Sequence, residues 1–84
     1  MLASFVLLLK EMENEERVVY KFGPNEDVLG KIELNKITRK FAEIEPIPDI
    51  NISTKFYFDR AAQRISVCFI RENGLFPNRT TFES

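Results

Sequence analysis

Apolar residues fall in short alternating runs up to residue 45 and at three-to-four spacing from residue 53, with Pro46 and Pro48 standing between the two patterns. Alternation is the mark of strands whose every second side chain reaches a core, and the wider spacing is that of an amphipathic helix. A chain ordered this way makes an antiparallel sheet first and lays a helix on it afterwards, which is an α+β arrangement. Its 84 residues suit one domain spanning 1–84.

The first run, Leu2 to Met12, is continuously apolar at Phe5-Val6-Leu7-Leu8-Leu9 and predicts a central strand. It has no basic residue before it, Lys10-Glu11 after it, and far fewer than the ~20 residues needed to span a bilayer, so it reads as neither a leader nor an anchor. Val18, Tyr20 and Phe22 alternate in a second strand, and Gly23-Pro24-Asn25-Glu26-Asp27 gives a loop. Val28 to Leu34 makes a third strand and Thr38 to Glu45 a fourth, joined by a tight turn at Asn35-Lys36. Prolines cannot donate to a ladder, so Pro46 to Asn51 is a linker. The prediction is a four-stranded antiparallel meander in near-sequential order, with one C-terminal helix packed on one face.

Ser53 or Thr54 can cap that helix, Phe58, Ala62, Ile65 and Phe69 share one face, and Asn73-Gly74 with Pro77 ends it. Lys55–Asp59 and Arg64–Ile70 also permit two strands, since Ile65, Val67 and Phe69 alternate. Arg60-Ala61-Ala62-Gln63 between them is better helix than turn, which favours the helix. The expected core is Phe5, Leu7, Leu9, Val18, Tyr20, Ile32, Leu34, Phe41, Ile44, Phe58, Ala62, Ile65 and Phe69. Thr80 to Ser84 reads as a short edge strand or a frayed end.

Histidine is absent, which removes the commonest general base and metal ligand. Cys68 is the only cysteine, so no internal disulfide forms and a reducing, cytoplasmic setting is expected. On the apolar side of the helix, away from its N-terminus, its thiol reads as core material. The acidic turns lack calcium-loop spacing, and Gly23, Gly30 and Gly74 are too scattered for a phosphate loop. No catalytic residue, metal or cofactor is expected.

At 100° per residue, Arg60, Arg64 and Arg71 lie within about 40° of one another, opposite the apolar stripe. They are what the solvated back of an amphipathic helix requires, and they are also a candidate strip for an acidic partner. Val67 and Ile70 point away from the stripe, an apolar surplus that suggests a partner or self-association. Twelve basic residues against thirteen acidic ones give a net charge of −1, without the basic excess of most nucleic-acid binders.

The string Phe58-Asp59-Arg60-Ala61-Ala62-Gln63-Arg64-Ile65, the tail Gly74-Leu75-Phe76-Pro77 and Phe82-Glu83-Ser84, and the strand Gly30-Lys31-Ile32-Glu33-Leu34 are similar to a group of small bacterial proteins with no established activity. The resemblance implies an α+β fold and a bacterial cytoplasmic origin, and it carries no catalytic motif; small proteins of this kind sometimes accompany toxins as immunity factors. The expected function is a non-catalytic protein-interaction module, immunity- or antitoxin-like in form, binding an unidentified partner or itself through Arg60, Arg64, Arg71 and Phe76. The alternative is a nucleic-acid-binding accessory protein using the Arg60/Arg64/Arg71 face with Arg79.

Overall fold

The structure, a computed structural model, describes residues 5–49 and 53–83. The expected strand residues 2–4, the linker residues 50 and 51, and Ser84 lie outside them. Five strands and one helix follow in the order β1 Phe5–Glu13, β2 Arg17–Asn25, β3 Val28–Asn35, β4 Lys40–Glu45, α1 Thr54–Ile70 and β5 Arg79–Glu83. All neighbours are antiparallel, in the spatial order β4-β3-β2-β1-β5. Four meander strands are as expected, and the second half is a helix rather than a hairpin. The strand count is corrected to five, because the tail pairs with the outer side of β1. Without it, the most apolar strand would present a row of unpaired backbone groups.

Each hairpin turn opens with an asparagine. The side-chain oxygens of Asn14, Asn25 and Asn35 each accept two backbone N–H groups, from Glu16 and Arg17, Asp27 and Val28, and Ile37 and Thr38. These bonds replace ladder partners where the chain reverses. The turn expected at Asn35-Lys36 is longer, with Arg39 taking a left-handed φ of 63° and its N–H reaching the Asn35 carbonyl at 2.7 Å. A two-residue turn wants glycine, which this segment lacks.

Helix α1 packs over β1, β2, β3 and β5. Ser53 is its N-cap, accepting from the Phe56 N–H at 3.3 Å, and Thr54 Oγ1 accepts from Ile47 at 3.2 Å, tying the linker to the first turn. The chain leaves the helix as expected, through left-handed Asn73 and Gly74 at φ 55° and 75°. Val6 and Leu8 of β1, Val18, Tyr20 and Phe22 of β2, and Ile32 and Leu34 of β3 meet Ala61, Ile65 and Cys68 of the helix. Ile47 and Phe76 close the two ends of this core. Tyr20 is fully buried and donates its hydroxyl to the Pro77 carbonyl at 2.5 Å; burial pushes its phenol well above the ordinary value.

Several expected core positions move. Phe5, Leu7 and Leu9 occupy the sheet's second face while Val6 and Leu8 take the helix side, because an unbroken apolar run carries no alternation to set its phase. Phe5 is consequently 42% exposed. Ile44 is 47% exposed because the register with β3 skips it, Lys31 facing Glu45 and Ile32 facing Glu43.

Among the described residues no helix covers the second face, yet Leu7 and Val19 are buried there. The register places Arg79 level with Leu9, and Leu9 level with Lys21. A straight hairpin would carry Glu26 about 15 Å beyond that level, but Arg79 reaches it at 2.7 Å. The β2–β3 tip therefore bends back over β1 toward β5. The bend occurs at the bulge after Phe22, where Gly23 is obligatory: a Cβ there would collide with the Val28 carbonyl oxygen. Arg17–Glu33 and Lys31–Glu11 pairs at 3.1 and 3.0 Å complete the second face.

Candidate functional site

Small side chains decide how α1 sits. Ala61 and Cys68 let the helix axis approach the sheet closely, with Ile65 between them, while Phe58 and Phe69 wedge in from one side half-buried. The buried face is thereby turned by about 60° from the expected Phe58/Ala62/Ile65/Phe69 stripe. The three arginines then lie about 90° from the core, on a flank beside β5, and not opposite it.

The expected partner-binding residues are engaged in different ways. Arg64 is a structural clamp: Nε donates to Thr80 Oγ1 at 2.8 Å, joining helix to β5, and an N–H of its guanidinium lies 3.4 Å from the Glu72 carboxylate. Arg60 lies over the Phe56 ring, its guanidinium carbon 3.7 Å from the centroid, with its Nε buried and without a hydrogen-bond partner. Arg71 is the exposed C-cap residue. Phe76 is only 6% exposed and belongs to the core, stacked on Phe69 with centroids 6.2 Å apart and the Lys36 ammonium 5.1 Å from its ring. Buried this way, its side chain has no surface to offer a partner.

The outer face of the helix gathers other residues. Phe56, Val67 and Ile70 fall within about 60° of one another, on the side away from the sheet. Ser66, Val67, Ile70 and Arg71 line an open groove of about 350 Å³. Ile70 is 76% exposed and Phe56 37%. Val67 and Ile70 are legible on a helical wheel as an apolar surplus; Phe56 is visible the same way and is easily missed beside Phe58, which faces the core side. The face is thus apolar at its two ends, Phe56 at one and Val67 with Ile70 at the other, with exposed Asp59 and Gln63 between them and Arg60 and Arg71 at its border.

Several titratable groups elsewhere hold the fold. Burial raises the Glu13 carboxyl, but hydrogen bonds and charge from Lys10 and Lys36, at 2.9 and 2.8 Å, outweigh it and leave it below the ordinary carboxylate value. Lys36 also donates to the Asn14 carbonyl and Lys10 to that of Phe76, so this cluster ties two turns to the tail. Cys68 is 1% exposed, and burial raises its thiol pKa, which keeps it protonated and unreactive. Among the described residues, no three His, Cys, Asp or Glu side chains are grouped to hold a metal ion, and no helix is long and apolar enough to cross a membrane. No family model, curated protein or solved structure matches the chain, so the grounds for a functional reading are the residues of this face and their surroundings.

Proposed function

We propose that the protein is a non-catalytic binding module that docks a protein partner on the outer face of α1. The observation that carries this is Ile70, three-quarters exposed beside a groove shared with Ser66, Val67 and Arg71. An exposed isoleucine beside valine, bordered by Arg71, has the composition of an interface rather than of an ordinary solvated helix face. It fits a partner that offers an apolar side chain to the groove and carboxylates to Arg60 and Arg71. An immunity- or antitoxin-like inhibitor, which acts by covering a larger protein's surface, is one such module.

A non-catalytic role is supported by the lack of histidine and by a thiol enclosed in the core. The nucleic-acid alternative draws less support, since Arg64 is held by Thr80 and Glu72, and Arg79 by Glu26. The test is capture of partners by the tagged wild-type chain and by Ile70→Asp, Arg71→Glu and, as an exposed turn control, Glu15→Lys. A partner retained by wild type and Glu15→Lys, but weakened at least about tenfold (~1.4 kcal/mol) by either helix variant, is the expected result. Equal retention by all four chains would remove the helix face from consideration.

A further inference from the structure

The two edges of the sheet are built differently. β4 carries a register break at Ile44, Pro46 just past its end, and the charges of Lys40, Glu43 and Glu45, all of which discourage pairing with another strand. β5 has no such break, and its two charges, Arg79 and Glu83, are of opposite sign at its two ends. Its five residues pair with β1 without a register shift, and among the described residues no strand lies on its outer side. We propose that this outer edge of β5 is a self-association surface, pairing antiparallel with β5 of a second copy about Thr81.

The occupant follows from the strand's own sequence, Arg-Thr-Thr-Phe-Glu. Antiparallel pairing centred on Thr81 sets Arg79 against Glu83 of the second copy and Glu83 against its Arg79. Opposite charges thus meet at both ends, Thr80 faces Phe82 on either side, and the two Thr81 residues meet in the middle. Cross-strand pairs of opposite charge and of threonines are favourable, while like charges directly opposite are not. The faces also agree. A two-fold axis normal to the sheet requires paired residues to be an even number apart in sequence, since neighbours point to opposite faces. Thr80 and Phe82, level with Leu8 and Val6, then join the helix side of both copies, and Arg79, Thr81 and Glu83 the second face. Centring the pairing on Thr80 or Phe82 would lose both charge pairs, so the register is specified.

The side chains are in a state to do this. Glu83 is exposed and makes no ion pair within the described residues. Arg79 uses one guanidinium nitrogen on Glu26, in a pair that is 59% and 62% exposed, and has other donors left. Five residues from each copy bury much less than the ~800 Å² per partner of a standard interface, so the dimer is weak and reversible.

Sedimentation velocity over a protein concentration series tests this, with circular dichroism to show that each variant is folded. The wild-type chain is expected to show a reversible monomer–dimer equilibrium. Arg79→Glu or Glu83→Arg alone should raise Kd at least about tenfold (~1.4 kcal/mol) by opposing like charges. Combining the two substitutions should restore the dimer, because opposite charges then face each other again with their signs exchanged. Glu26→Gln should not weaken it, and neither should Ile70→Asp, which separates this surface from the helix face. A chain that stays monomeric up to millimolar concentration would overturn the proposal. So would a dimer indifferent to the single reversals, or a double exchange that fails to restore it.

Discussion

Truncating Phe76 distinguishes a surface residue from a core one. From the sequence, Phe76 reads as a partner contact, and Phe76→Ala should then leave the fold intact. In the structure its ring is buried against Phe69, Lys36 lies over it, and the segment it anchors carries the Pro77 carbonyl that satisfies Tyr20. Removing a buried phenylalanine ring costs ~3–5 kcal/mol through lost transfer energy and the cavity left behind. The adjacent Leu75, 72% exposed, serves as the control, and its truncation should stay within ~0.5 kcal/mol. At about 2.1 cal/mol/K per residue, an 84-residue unfolding entropy is roughly 0.18 kcal/mol/K, so a loss of ~3.5 kcal/mol lowers Tm by about 20 °C. Urea unfolding followed by far-ultraviolet circular dichroism and tyrosine fluorescence reads the change; the chain has no tryptophan. The whole domain has only ~4–13 kcal/mol to lose, so Phe76→Ala should remove from about a quarter of its stability to nearly all of it. A loss below ~1 kcal/mol, equal to that of Leu75→Ala, would refute the packing argument.

Other perturbations probe separate parts of the molecule. Glu13 titrates below its unfolded value, so its contribution is present above the ordinary carboxylate pKa near 4.5 and disappears as the pH falls through the folded value. Glu13→Gln should therefore lower stability at neutral pH and flatten the acid limb of a stability–pH curve, and an unchanged limb would dismiss the Lys10/Lys36 clamp. Cys68 should react with a thiol reagent only through unfolding, so its rate should rise with urea in step with the unfolded fraction; rapid labelling of the native chain would contradict its burial. Gly30→Ala sets a Cβ 2.6 Å from the Glu45 carbonyl oxygen and 2.9 Å from the Ile47 nitrogen, so chemical denaturation should register a loss of at least ~1 kcal/mol as β4 is pushed off. Asn35→Ala removes two turn hydrogen bonds and should cost ~1 kcal/mol, with Asn35→Asp recovering most of it.

Local chemistry makes much of the architecture legible. Val18-Tyr20-Phe22 and Ile32-Leu34 alternate and do line the core, each turn falls where asparagine offers a side-chain acceptor, and Ser53 and Asn73-Gly74 bound the helix as their chemistry requires. β1 is legible as a strand but not in phase, because five consecutive apolar residues fit either face equally well. β5 is faint for a related reason: five residues with one apolar side chain gain strand character only when an apolar edge lies beside them. At the helix, the arginines read as the back of the helix, opposite the core; that they lie on a flank, with Thr80, Glu72 and Phe56 as partners, could be assigned only after the helix had been rotated onto the sheet.

Interactions among near neighbours in the chain are enough to say that β1 to β4 are strands, where they turn, and where the helix starts and stops. Composition alone adds that no histidine and no internal disulfide take part. Long-range packing set the rest: that the tail forms β5, which face of β1 looks inward, how far α1 turns about its axis, and that Phe76 is core. Those outcomes depend on the close packing of helix on sheet at Ala61 and Cys68 and on pairing between residues seventy or more positions apart. Such contacts form only as the whole core closes, and no local pattern encodes them.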